Sequence, residues 1–261
     1  MVKKILPDQF LFEIKMRKFL KKGEKELKLI PLICRKNQYF VDVGANLGAY
    51  TYAAMKYSSH VYAIEPHPQL AHLLKKRFQN KITVLESALS DRNGQVKMYV
   101  PQKDGQDIKT RNSLEIQANP GYSLNHINVE MVKLDDLNLN NIAAIKIDVE
   151  GHEMSTLKGS LKVLKEQKPT VLVEVEKRHN PHKSHQVFEL LQEHGYRGYF
   201  MMDNELKSLE CFDFEQYQKS DQQKIPGQKR SSNYINNFLF VHKTNQETIN
   251  NLSRSKYIKN T

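Results

Sequence analysis

The chain contains no tryptophan and only two cysteines, Cys34 and Cys211. Two thiols build no disulfide framework, so a reducing compartment is expected and both cysteines read as packing residues. No apolar run approaches the roughly 18 residues that a membrane span needs. The basic opening is cut by Pro7 and Asp8 before it can form the apolar stretch of a signal peptide, and a cytoplasmic protein is expected. No internal repeat is present, and Gly and Pro occur at ordinary frequency, so 261 residues imply one globular domain with additions.

Acids are also in short supply, with 29 Asp or Glu against 40 Lys or Arg. The imbalance is local: residues 1–36 hold eleven cations and four acids, a net +7 of the chain's +11. Within 10–22, Phe12, Met16, Phe19 and Leu20 share one helical face, with Lys15, Lys18, Lys21 and Lys22 mostly opposite. Leu11 and Ile14 fall off that apolar face. The pattern fits a helix packed on the core with a solvated basic back; its sharper reading is a peripheral contact with an anionic membrane or an acidic partner.

What the sequence does have is a strand, turn and helix at 39–51. An apolar segment with Asp42 inside it runs into Gly44-Ala45-Asn46-Leu47-Gly48-Ala49. A glycine-bearing turn between strand and helix lets a ligand approach the backbone, with helix amides aimed at it. Glu65 ends the next apolar segment 21 residues after Gly44, the distance at which a βαβ nucleotide site places its ribose-binding carboxylate. A dinucleotide site wants G-x-G-x-x-G, whereas Asn46 and Ala49 replace its second and third glycines. Asp42 would repel a pyrophosphate and welcome an ammonium. These departures favour S-adenosylmethionine.

Further strands are expected at 81–86, 95–100, 127–133, 142–147, 170–175, 197–202 and 237–241, and helices at 23–36, 68–80, 153–166 and 184–194. The stretches 101–126 and 203–235 are polar and without periodicity; the first reads as a loop able to cover a site. Strands alternating with helices, then a final strand pair, predict an α/β open sheet, mostly parallel, with an antiparallel final strand. The expected division is a basic helical segment at 1–36, a domain at 37–245 with insertions at 101–126 and 203–235, and a tail at 246–261.

A second chemical cluster is Lys146-Ile147-Asp148-Val149-Glu150-Gly151-His152-Glu153, at the carboxyl end of a central strand, where ligands bind in such sheets. Lys146 interrupts an apolar strand and needs a partner, such as Glu174, or a catalytic use. Glu174 and Glu176 share a strand face, and His179 and His182 follow. Asp148, Glu150 and His152 are candidates to take a proton. No spacing here matches a fixed metal-ligand motif, so no metal site is expected.

Phe40-Val-Asp-Val-Gly-Ala-Asn-Leu-Gly-Ala-Tyr-Thr51, Ala63-Ile-Glu-Pro66, Ala88-Leu-Ser-Asp91, the block from Lys146 to Glu153, and Leu172-Val-Glu-Val-Glu176 together resemble the motif set of FkbM-type methyltransferases, over roughly 24–202. The resemblance implies a class I Rossmann-like methyltransferase that uses S-adenosylmethionine and O-methylates a hydroxyl of a sugar, glycan or natural product. By that likeness Gly44 and its neighbours, Asp42, Asn46 and Gly48, hold the methionine part. Glu65 binds ribose, Ser87 and Ala88 line adenine, and Asp148 sits beside the transferred methyl. From the residues themselves, Asp148, Glu150 or His152 is expected to remove the acceptor's proton, with Lys146 tuning the carboxylates. Two other readings compete: a nucleic-acid methyltransferase, prompted by the charge, and a non-catalytic Rossmann-like binding protein. Acids crowding the cleft would repel phosphates, and no Asn/Asp-Pro-Pro turn follows the strand at 142–147.

Overall fold

The computed structural model describes residues 8–179, 184–219 and 234–257. From the N-terminus, α1 (Asp8–Lys22), a helical turn at Lys25–Leu29 and α2 (Ile30–Ile33) lead into β1 (Tyr39–Val43). Then come α3 (Ala49–Ala54), β2 (His60–Ile64), α4 (Pro68–Phe78), β3 (Thr83–Leu85), β4 (Ala88–Leu89), β5 (Gly94–Lys103), β6 (Gln106–Asp107) and β7 (Ser123–Val132). The second half holds β8 (Ile142–Ile147), α5 (Glu153–Lys158), α6 (Leu161–Glu166), β9 (Thr170–Glu174) and α7 (Ser184–Glu193). It ends with β10 (Tyr196–Met202), β11 (Glu205–Ser208), α8 (Phe214–Tyr217), β12 (Asn237–His242) and α9 (Gln246–Ser253).

The main sheet runs β11-β10-β12-β9-β8-β1-β2-β3 among the described residues. It is parallel from β3 through β9, and β12 enters antiparallel between β9 and β10. This is the open, mostly parallel α/β sheet that the sequence predicts. Every residue of β8 is buried, as a parallel strand covered on both faces requires. One apolar layer, with Phe12, Ile30, Phe40 and Leu74, lies under α1 to α4; the other, with Ile145, Leu157, Phe188 and Phe238, lies under α5 to α7. Register aligns Val43 with Ile64 and with Ile147, and Ile147 with Val173. The residues after those positions, Gly44, Glu65, Asp148 and Glu174, therefore share one rim.

Four expectations need correction. The stretch 101–126 is strand at both ends, because β5 and β7 pair from Gly94↔Met131 to Gln102↔Ser123 in a second sheet, ordered β4-β7-β5-β6. Their outward residues are polar, which hid them as loop. The helix expected at 153–166 is two, broken at Gly159 and Ser160, where the Asp135 amide donates to the Gly159 carbonyl (3.0 Å) and the Asp135 carboxylate accepts from the Lys162 and Val163 amides (both 3.0 Å). The stretch 203–235 contains β11 and α8, with 220–233 outside the described residues. Cys34 is buried, as a packing residue should be, but Cys211 is exposed. Burial pushes the Cys34 thiol up to about 12. After β12 the chain returns to its start: the Arg35 guanidinium donates to Thr248 Oγ1 at 2.8 Å and pairs with Glu247, both on α9.

Candidate active site

The turn after β1 is held from beneath by β2, with the amides of Gly44 and Ala45 both donating to the Ile64 carbonyl (2.9 and 3.2 Å). Asn46 takes the left-handed conformation (φ 51°) that asparagine tolerates. Its amide donates to Glu65 Oε2 at 2.8 Å, and the His67 amide donates to Oε1 at 2.9 Å. Glu65 is buried, and burial raises its carboxyl to about 7 against the pull of those two amides. The His67 ring caps α4 by accepting from the Gln69 amide.

These groups open onto a cleft at the rim of the sheet. Gly44, Asn46 and Glu65 wall one part, Ser87, Ala88 and Leu89 another, and Asp148, Glu150 and His152 a third. Three expected site residues lie outside that wall. Asp42 points beneath the turn, where its Oδ2 accepts from the Thr51 amide (2.8 Å) and hydroxyl (2.6 Å). Gly48 is a packing glycine, since a Cβ there would lie 2.6 Å from the Phe78 ring. Lys146 is fully buried: its ammonium donates to the Ile147 carbonyl (3.1 Å) and Asn237 Oδ1 (3.0 Å), and lies 3.9 Å from Asp148 Oδ2 and 5.2 Å from the Tyr50 ring centre. Burial pushes its pKa down, but Asp148 and then Glu174 prevail and hold it above the ordinary value.

The three proton-taking candidates differ sharply. Asp148 lines the cleft with 31% of its side chain exposed, and burial raises its carboxyl to about 7 although Lys146 opposes the shift. Glu150 is paired with Arg178 (3.2 Å) and lies 2.9 Å from His179 Nε2. Burial would raise its pKa, but His179 and Arg178 together hold it below the usual range. His152 is held at both ring nitrogens, by Glu115 Oε1 at 2.7 Å and Ser90 Oγ at 3.0 Å. Glu174 and Glu176 form a second carboxyl pair, tied by Asn236, which donates to both. Burial and nearby carboxylates raise Glu174, whereas Arg178 overcomes burial to depress Glu176. His182 lies outside the described residues.

Several contributing residues carried no sequence signal. The segment covering the cleft supplies Lys109, Thr110, Asn112, Ser113 and Leu114. It is pinned by Asn46 Nδ2 to the Thr110 carbonyl (3.2 Å), by Ser113 Oγ to the Glu150 carbonyl (2.6 Å), and by Glu115 to His152. Arg178 lay inside a charged run without periodicity, and Asn237 at the start of an apolar strand; neither spacing nor residue type marks them. Among the described residues, no group of three or more His, Cys, Asp or Glu is placed to hold a metal ion.

A methyltransferase FkbM from Methylobacillus flagellatus KT is 15% identical, covering 91% of this chain and 56% of its own, with a TM-score of 0.49. The chain thus spans little more than half the length of that protein. An rRNA methylase from Streptococcus thermophilus is 11% identical over 84% of this chain and 93% of its own, with a TM-score of 0.46. A Streptococcus mutans protein in complex with SAH is 8% identical over 83% and 94%, also at 0.46. Curated proteins gave no match. The sequence model of the methyltransferase FkbM domain matches residues 42–197, a stretch that holds the Gly44 turn, Glu65, the Ser87-Ala88 wall and the Asp148–His152 block. The chain belongs to the FkbM methyltransferase family.

Proposed function

We propose that the protein transfers a methyl group from S-adenosylmethionine to a hydroxyl of a sugar, glycan or natural product, and that Asp148 receives the hydroxyl proton. One observation carries the reading: Asp148 lines the cleft with 31% of its side chain exposed, while Glu150 and His152 are committed to other partners; burial also pushes the Asp148 carboxyl upward. A base works best when its pKa lies near the working pH. The wall around it is acidic, which suits a neutral hydroxyl acceptor and repels a phosphate backbone.

The residues present fit the cofactor. Asn46 Oδ1 and Asn112 Oδ1 are buried at the cleft wall without a partner, a costly state that a polar ligand relieves. Each Glu65 oxygen takes one backbone amide and keeps acceptor capacity for ribose hydroxyls. Ser87 and Ala88 would flank the adenine, and the Gly44 turn would receive the methionine part. When bound, S-adenosylmethionine supplies an electrophilic methyl group. The protein's share is to align the acceptor oxygen, exclude water beneath the 108–122 segment, and hold the displaced proton on Asp148.

Two measurements test this. S-Adenosylhomocysteine should raise the melting temperature, and no shift at saturating ligand would end the reading. Transfer of label from S-adenosylmethionine to hydroxylated acceptors should give an ether, and label found on a nitrogen of nucleic acid would overturn the acceptor class.

A further inference from the structure

Helix α1 is apolar on two sides. Phe12 and Met16 face inward at 5% and 3% exposure, with the Phe12 ring edge-on to Phe78 and Tyr52 and under the Arg77 guanidinium. At 100° per residue the opposite direction falls on Ile14, flanked by Phe10 and Leu11. These three are 47%, 49% and 47% exposed, so the fold makes little use of them. The same outward face continues into Lys15, Lys18, Lys21 and Lys22, all exposed. Among the described residues none of these lysines makes an ion pair, while Arg17 meets Glu13 only at 3.9 Å.

The geometry points to α1 as a peripheral membrane contact, its outward Phe10, Leu11 and Ile14 entering the headgroup boundary of an anionic bilayer while the lysines meet lipid phosphates. Exposed apolar side chains in the first turns, flanked by lysines, supply the two terms of such binding, apolar area to bury and attraction to anionic lipid. Charge complementarity selects the occupant. A second copy would set lysines against lysines, and a neutral apolar partner would leave four cations unanswered. Because Phe12 and Met16 hold the helix to the core from behind, it docks as a preformed face.

The absence of tryptophan gives a clean reporter. The full chain carrying Phe10→Trp, mixed with vesicles of phosphatidylcholine containing phosphatidylglycerol, should show blue-shifted emission and float with the lipid. Pure phosphatidylcholine vesicles should give neither effect. Lys18→Gln with Lys22→Gln should weaken partition by about fivefold per lysine, and Leu11→Gln with Ile14→Gln should abolish the blue shift. Unchanged melting confirms that the variants fold, as the exposure of all four positions predicts. No partition into anionic vesicles, or equal partition of the Leu11/Ile14 variant, overturns the proposal. Binding to polyglutamate without partition into vesicles also overturns it, and assigns the face to an acidic protein.

Discussion

The carbonyl oxygen of Asp148 occupies the space that a side chain on Gly44 would need: a Cβ built there would lie 1.8 Å from it. The Asp148 amide in turn donates to the Val43 carbonyl at 3.0 Å. Two motifs far apart in sequence thus fix each other, and the turn that would hold the cofactor cannot move without moving the carboxyl proposed to take the proton.

Gly44→Ala should therefore damage cofactor affinity and turnover together. Gly44 has φ 75°, a conformation costing about 1–3 kcal/mol for other residues, to which the collision adds. Gly105→Ala is the control, since Gly105 has φ 73° with nothing within 4 Å of its Cβ position. Melting and S-adenosylhomocysteine titration should show Gly105→Ala losing only the conformational cost. Equal behaviour of the two variants would mean that the contact with Asp148 is unimportant.

With Asp148 as the proposed base, its ionisation should set the pH dependence. As a base it acts when ionised, so the single-turnover rate should rise with pH through about 7 and level off above it. Asp148→Asn should remove that dependence and lower the rate by about 10²–10⁴-fold. Stability runs the opposite way. A raised carboxyl pKa contributes stability below the ordinary carboxylate range, and this is lost as pH rises through about 7. Wild type should therefore lose stability relative to Asp148→Asn across that window, as melting curves can show. A pH-independent wild-type rate with chemistry limiting would place the base elsewhere.

How much of this was legible in the sequence depends on the range of each contact. The runs that became β1 and β8 were readable because burial on both faces demands apolar side chains, and Lys146 stood out because it broke one. The Gly44 turn and Glu65 were readable from a spacing that βαβ geometry imposes. Asp42 and Gly48 were legible as special positions, but their causes were local: one caps α3 and the other clears Phe78. Glu115, Ser113 and Thr110 could not be found, because partners such as Glu150 and His152 are 37 residues away. The break at Gly159 was hidden because the groups that end one helix and start the next belong to Asp135, more than twenty residues earlier.

Glu65 offers a test of cofactor recognition. Glu65→Ala removes the proposed ribose acceptor and should cost about 1.5–3 kcal/mol of S-adenosylhomocysteine affinity by calorimetry. It also strands the Asn46 and His67 amides, so part of the loss could come from a distorted turn. Glu65→Gln separates the effects, since its carbonyl still serves one amide. In wild type, affinity should rise with pH through about 7 as the carboxyl ionises, and in Glu65→Gln it should not. Unchanged affinity in both variants would show that Glu65 does not meet the ribose.

The chain Glu115–His152–Ser90 ties the covering segment 108–122 to the strand end beside Ser87 and Ala88. If its role is to position that cover, Glu115→Ala and His152→Ala should each speed amide exchange across 108–122, and the double variant should add little. Groups in direct contact couple by about 0.5–3 kcal/mol in such a cycle. The bond to His152 holds the Glu115 carboxyl below its ordinary pKa. The tie is therefore in force above the ordinary carboxylate range and is lost as pH falls through the lowered value. Acceptor KM should rise in both variants, while a rate measured at saturating acceptor keeps its dependence on Asp148 ionisation. If His152→Ala instead abolished that pH dependence and left exchange across 108–122 untouched, His152 would be the base and Asp148 its support.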